Sequence, residues 1–131
     1  MGSFNDYTEN KVLDHITGKT SFTMPTAYVG LSTADPLDDA SGLAEPSGGS
    51  YARVATAGAT WDAAAAGATA NAQAITFPQA TASWGTVTHF ALFDAASGGN
   101  MLAHGTLTAS KAIGNGYTAA FAIGDLDLTL D

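Results

Sequence analysis

Apolar and polar residues alternate in short runs along most of this chain, and turn-forming residues cut each run. One stretch has a different rhythm. In SFNDYTENKVLDHIT, residues 3 to 17, Phe4, Tyr7, Val12, Leu13 and Ile16 recur near a 3.6-residue period. That spacing predicts an amphipathic helix. Ser3 followed by Asp6 resembles a capping box, with Asp in place of Glu or Gln, and Gly18 supplies the stop. Residues 1–18 therefore read as an N-terminal helical arm. Its apolar stripe is expected to cover one end of a sheet or, on a sharper reading, to dock on a partner.

The rest of the chain has the two-residue period of strands. TAYVGLST (26–33), YARVATAG (51–58), NAQAITFP (71–78), GTVTHFALFD (85–94), NMLAHGTLT (100–108), YTAAFAIG (117–124) and DLDLTLD (125–131) are strand candidates. ADPLDDASGLAEPSGGS (34–50), with two prolines and three glycines, reads as a long polar loop. The Ala-rich stretch 62–70 reads as a loop with an edge segment, because Gly67 and its threonines weaken the helical preference of alanine. About seven or eight short strands at regular spacing predict a mainly β chain. The expected architecture is a single-domain β-sandwich or jelly-roll-like barrel over residues 1–131, with one N-terminal helix.

Charge narrows the classes of partner. Four basic residues against twelve acidic ones leave a net charge of −8. Lys11, Lys19, Arg53 and Lys111 are scattered, so no basic patch is expected to meet nucleic acid or an anionic membrane. No apolar run approaches the roughly 20 residues that span a bilayer. MGSFNDYTEN has neither the charged nor the apolar region of a signal peptide. The chain has no cysteine, which excludes disulfides and thiolate-held zinc.

The densest candidate chemistry lies in THFALFDAASGGNMLAHG, residues 88 to 105, which holds His89, Asp94 and His104. Pairing Phe93 with Met101 places Phe90 opposite His104 and puts the two histidines on different faces. A one-residue slip would bring them side by side. In either register a third ligand is missing, and zinc wants three or four. Phe90, Leu92, Leu102 and Leu107 are then the inward residues, with AASGG as the turn. No G-x-S-x-G elbow or phosphate-cradling glycine motif occurs. Asp35, Asp38, Asp39 and Glu45 depart from the order of a calcium loop, and Pro36 stiffens that segment. Arg53 is either an ordinary surface ion pair or a bidentate anchor for a partner. At the C-terminus Leu126, Leu128 and Leu130 should face the core. Asp125, Asp127, Thr129 and Asp131 then form an acidic row on the other face. No catalytic residue, metal or cofactor is expected. The candidate partner-facing residues are Phe4, Tyr7, Arg53, His89, His104, Asp125 and Asp127.

YVGLSTADP (28–36), SGLAEPSGGSYARVA (41–55), ITFP (75–78), SWGTVTHFALFDAASGGNMLAHGTL (83–107) and DLDLTLD (125–131) occur in that order. In these blocks the chain resembles a family of small bacteriophage virion proteins often labelled tail-fibre proteins. The resemblance implies a β-rich structural protein on the surface of a phage particle, made in the cytoplasm of the bacterial host, and no enzyme. The chain shows no repeat, heptad or stalk pattern of an elongated fibre. The expectation is therefore a capsid decoration (cement) protein, forming a homotrimer with copies of itself on the major capsid protein. The alternative is a tail-fibre or other tail-associated domain whose partners are tail proteins or a host receptor.

Overall fold

A computed structural model describes residues 2–130. Nine strands and one helix follow one another as β1 (Gly2–Phe4), α1 (Asp6–Ile16), β2 (Tyr28–Ser32), β3 (Val54–Ala55), β4 (Ala68–Ala70), β5 (Ile75–Thr76), β6 (Gly85–Phe93), β7 (Met101–Ile113), β8 (Ala120–Phe121) and β9 (Asp127–Thr129). Seven strands form one sheet in the order β3-β2-β6-β7-β1-β9-β4, and β5 pairs with β8 in a second, small sheet. The mainly β, sandwich-like or barrel-like architecture expected from the two-residue period is the one found.

The main core fills the space between the sheets. Val29 and Leu31 of β2, Phe90 and Leu92 of β6, Ala103 of β7 and Leu128 of β9 contribute from the large sheet. Ile75, Phe77, Ala80, Trp84 and Ala119 close over them from β5 and its flanking loops. Phe90, Leu92 and Leu102 are buried as expected, and Leu107 packs against the same cluster. Phe77 stands edge-on to Trp84 with ring centroids 6.5 Å apart. Such a packing contributes beyond its buried area. In β6 Phe90, Ala91, Leu92 and Phe93 are all buried, so both of its faces are covered. Its second face carries a smaller cluster of Ala91, Phe93 and Met101, packed under Tyr28, Ala40 and Leu43.

The N-terminus departs from the expected helical arm. Ser3 lies in β1, not at a helix start, and α1 is capped by Asn5, whose side chain accepts from the Thr8 N–H at 3.3 Å. β1 is an interior strand, antiparallel to β7 and parallel to β9. A Cβ on Gly2 would sit 2.5 Å from Phe90 Cζ, so this close approach to the core requires glycine. The expected apolar stripe does not hold the helix. Leu13 is 61 % exposed and Ile16 is 74 % exposed; Phe4 and Tyr7 alone of the five pack on the main core. Thr8 is the buried residue of α1. Its hydroxyl donates to the Leu102 carbonyl at 2.7 Å, and the Asn5 amide donates to the Met101 carbonyl at 2.6 Å.

Buried polar groups also fix the other end of the large sheet. Asn71 has no exposed surface. Its amide donates to the carbonyls of Gln73 and Ala122, and its oxygen accepts from the Leu126 N–H, each at 2.9 Å. All of its side-chain groups are engaged, as burial requires. Deleting residues 1–17 removes the strand between β7 and β9, so the truncated chain should show no cooperative thermal unfolding by circular dichroism. The double change Leu13→Ser with Ile16→Ser should shift stability by no more than about 0.5 kcal/mol. A large loss there would mean that the exposed stripe is packed after all.

Candidate functional site

The histidine-bearing hairpin and the loop over it bring several of the candidate polar residues together. β6 and β7 keep the Phe93–Met101 pair, but a bulge follows at once: Leu92 faces Ala103, Ala91 faces His104 and His89 faces Thr106. The extra residue in β7 changes the parity of the pairs from Leu92 to His89, until a second irregularity before Val87. His89 and His104 therefore share the second face of the sheet, the arrangement that the one-residue slip would have produced. The Phe90–His104 pairing expected from the turn is replaced by Phe90–Gly105.

Residues 33–50 fold over that face. Ser32 Oγ donates to the Ala34 carbonyl at 2.7 Å and accepts from the Ala44 N–H at 3.1 Å. The Thr33 N–H donates to the Ala44 carbonyl at 2.9 Å, which closes the loop at its base. A Cβ on Gly42 would fall 2.1 Å from the Asp35 carbonyl oxygen, so the loop can double back only with glycine there. The loop then sets one aspartate before each histidine. Asp35 Oδ1 stands 3.9 Å from His89 Nε2, and Asp38 Oδ1 stands 3.6 Å from His104 Nε2. Both distances exceed that of a hydrogen bond. His89 Nδ1 and the Thr88 hydroxyl lie 2.8 Å apart, whereas His104 Nδ1 is buried without a hydrogen-bond partner. Among the described residues no three of His, Asp and Glu converge as a metal would need.

Arg53 is the keystone of this face. Its side chain is only 6 % exposed, so it is neither an ordinary surface ion pair nor open to a partner. Nε and Nη2 donate to the two oxygens of Glu45, and Nη1 donates to the carbonyls of Ala95 and Gly98 at 2.8 Å each. The guanidinium stacks on Phe93, 3.4 Å from the ring centroid. Bidentate pairing and stacking are the uses for which arginine differs from lysine. The Tyr51 hydroxyl donates to Glu45 at 2.7 Å and accepts from the Leu31 N–H at 3.0 Å. Burial and that hydrogen bond to a carboxylate push the Tyr51 phenol well above its usual 10.0. A Cβ on Gly30 would lie 2.9 Å from both Phe93 and the Tyr51 hydroxyl, so the network sits directly on the β2 backbone.

Asp94 fixes the hairpin tip by accepting from the Asn100 N–H at 2.7 Å and from the Asn100 amide at 2.9 Å. Burial works to raise the Asp94 carboxyl, but these hydrogen bonds, with the Arg53 charge, outweigh it and hold it below the usual 3.8. The remaining candidates are dispersed. Phe4 and Tyr7 pack beside the main core. Asp125 lies exposed in the bend before β9, outside the strand. Asp127 is half-buried opposite Ala70. The acidic row is thus not built as expected. Leu126 and Leu128 are buried while Leu130 is exposed, and Asp131 lies outside the described residues. Glu45, weighed in the sequence only as part of an acidic loop, and Tyr51, which carried no signal beyond proximity to Arg53, complete the Arg53 cluster.

The arrangement immobilises a loop on a sheet face. Its charged groups hold backbone and one another. Against this geometry, residues 3–129 match a family model described as Podophage GP4 fiber I protein gp80. The chain belongs to this phage fibre family. It is thus a virion structural protein, of tail-fibre-like kind. No curated protein matches it, and no helix among the described residues is long and apolar enough to cross a membrane.

Two outcomes test the cluster. Arg53→Ala strands Glu45 and the two turn carbonyls in a largely buried position. Breaking such a pair costs about 3–5 kcal/mol, read as a lowered midpoint in urea, and Arg53→Lys should recover less than half. Asp94 is held below its unfolded value, so its contribution is complete above about pH 4. It is lost as pH falls through the folded value. The wild type should therefore lose more stability than Asp94→Asn as pH falls below about 4. Parallel acid profiles would remove Asp94 from the clamp.

Proposed function

We propose that this protein is a non-catalytic building block of the phage fibre, which binds neighbouring particle proteins through its surface and carries no reaction of its own. The match to a fibre family over residues 3–129 carries the reading. Arg53 with Glu45, and the hydrogen bonds of Ser32 and Thr33, fasten residues 33–50 to the sheet. That is the work of a rigid module. Leu13 and Ile16 of α1 and Met24 after it leave apolar side chains exposed for such contacts. Its partners on this reading are fibre or tail proteins and copies of itself.

The decoration of a capsid, first favoured from acidity and the absence of fibre repeats, has no comparable support. Acidity suits any outer surface of a particle. Gold-labelled antibody against the purified protein should mark intact particles at the fibres and leave the head surface bare in negative-stain images. Labelling spread over the head would restore the decoration reading.

A further inference from the structure

Of the five asparagines in the chain, Asn115 alone precedes a glycine. It stands in the turn that follows β7. The Tyr117 N–H donates to the Gly114 carbonyl at 3.1 Å, and Gly116 between them has a φ of +88°, a conformation that a turn reserves for glycine. Asn115 is exposed, and its side chain makes no hydrogen bond among the described residues. A Cβ on Gly116 would meet nothing within 4 Å.

The other four asparagines are held or hindered. Asn5 and Asn71 are buried with their amides engaged. The Asn100 amide donates to Asp94. Asn10 lies inside α1, where the next backbone nitrogen is kept in a helical hydrogen bond. Asp6, Lys11, Ala72 and Met101 follow these four, and the Cβ of each crowds the approach of its nitrogen to the asparagine side chain. Glycine removes that obstacle.

An unhindered Asn-Gly pair reacts with itself in water. The Gly116 nitrogen loses its proton to hydroxide and attacks Asn115 Cγ. The bond from Cγ to the side-chain nitrogen breaks, and that nitrogen leaves as ammonia with a proton from water. A second water then adds to one carbonyl of the succinimide and opens it to aspartate or isoaspartate. Overall the side-chain amide is hydrolysed to a carboxylate, and nothing is oxidised or reduced.

In the fold the attacking nitrogen is tied down. The Gly116 N–H donates to the Ala80 carbonyl at 2.7 Å, and the Gln79 amide donates to the Gly116 carbonyl at 2.9 Å. The Ala80 N–H returns a bond to the Tyr117 carbonyl at 2.9 Å. Both sides of the peptide unit are thus fixed, and its proton is shielded from base. We propose that Asn115 is the deamidation site of this protein and that Gln79 and Ala80 gate the reaction, which runs only while the turn 114–117 is open. An exposed turn opens far more often than the whole domain unfolds, so the folded chain reacts, but more slowly than the unfolded one. Isoaspartate lengthens the backbone of the turn by one carbon, so the bonds to Ala80 cannot all re-form.

The whole chain is held at mildly alkaline pH, and its peptides are mapped by mass spectrometry over time, with isoaspartate detected by enzymatic methylation. Asn115 should convert ahead of the other four asparagines, and about tenfold faster in denaturant than in buffer. Gln79→Ala, which frees one side of the peptide unit, should quicken the reaction about threefold in the folded protein, with its thermal midpoint measured alongside. Asn115→Gln should remove the early product. Earlier conversion at another asparagine, or a folded Asn115 that stays intact while the denatured one converts, would overturn the site. Equal rates in buffer and denaturant would overturn the gate.

Discussion

The extra residue in β7 beside the hairpin turn governs much of the rest of the molecule. A bulge leaves one residue outside the ladder and bends the strand. Here the step from the Phe93–Met101 pair to the Leu92–Ala103 pair sets Leu102 outside it. The displaced carbonyls of Met101 and Leu102 are met by Asn5 and Thr8. These contacts fix the start of α1 and lay β1 along Ala103–Gly105. The same step moves His104 onto the face of His89, the face that the loop must cover. Remove the bulge, and the helix loses its acceptors, β1 loses its place and the histidines part.

Covering β6 on both faces creates a second constraint. A helix brings its own backbone hydrogen bonds to such a task, but a loop does not, and its peptide groups must find partners before they can be buried. Ser32, Thr33 and Asn100 answer part of that need, and Arg53 answers more by reaching two carbonyls of the hairpin tip. The positive charge that this requires is compensated by Glu45, which Tyr51 also holds. A buried ion pair is an uncertain source of stability, since desolvation opposes the attraction. Its role here is to fix one loop arrangement, because the guanidinium holds Glu45 and the Ala95 and Gly98 carbonyls at once.

The sequence announced what depends on periodicity and hid what depends on single atoms. β2, β6 and the first half of β7 were legible because alternation fixes which residues enter the core, and Phe90, Leu92 and Leu102 do so. The virion family was legible from blocks that run through the whole chain. β1 was not, since three residues cannot show a period and Ser3 with Asp6 imitates a helix start. The docking of α1 was misread because hydrophobic spacing weighs Leu13 and Ile16, whereas the contacts come from Asn5 and Thr8. The histidines could not be placed, because one inserted residue reverses their relation and leaves no trace in composition. Arg53 looked like a surface charge because its acceptors, Ala95 and Gly98, lie more than forty positions away. The capsid assignment went beyond the residues altogether. Acidity and lack of repeats describe a compact module without saying which part of a particle it serves.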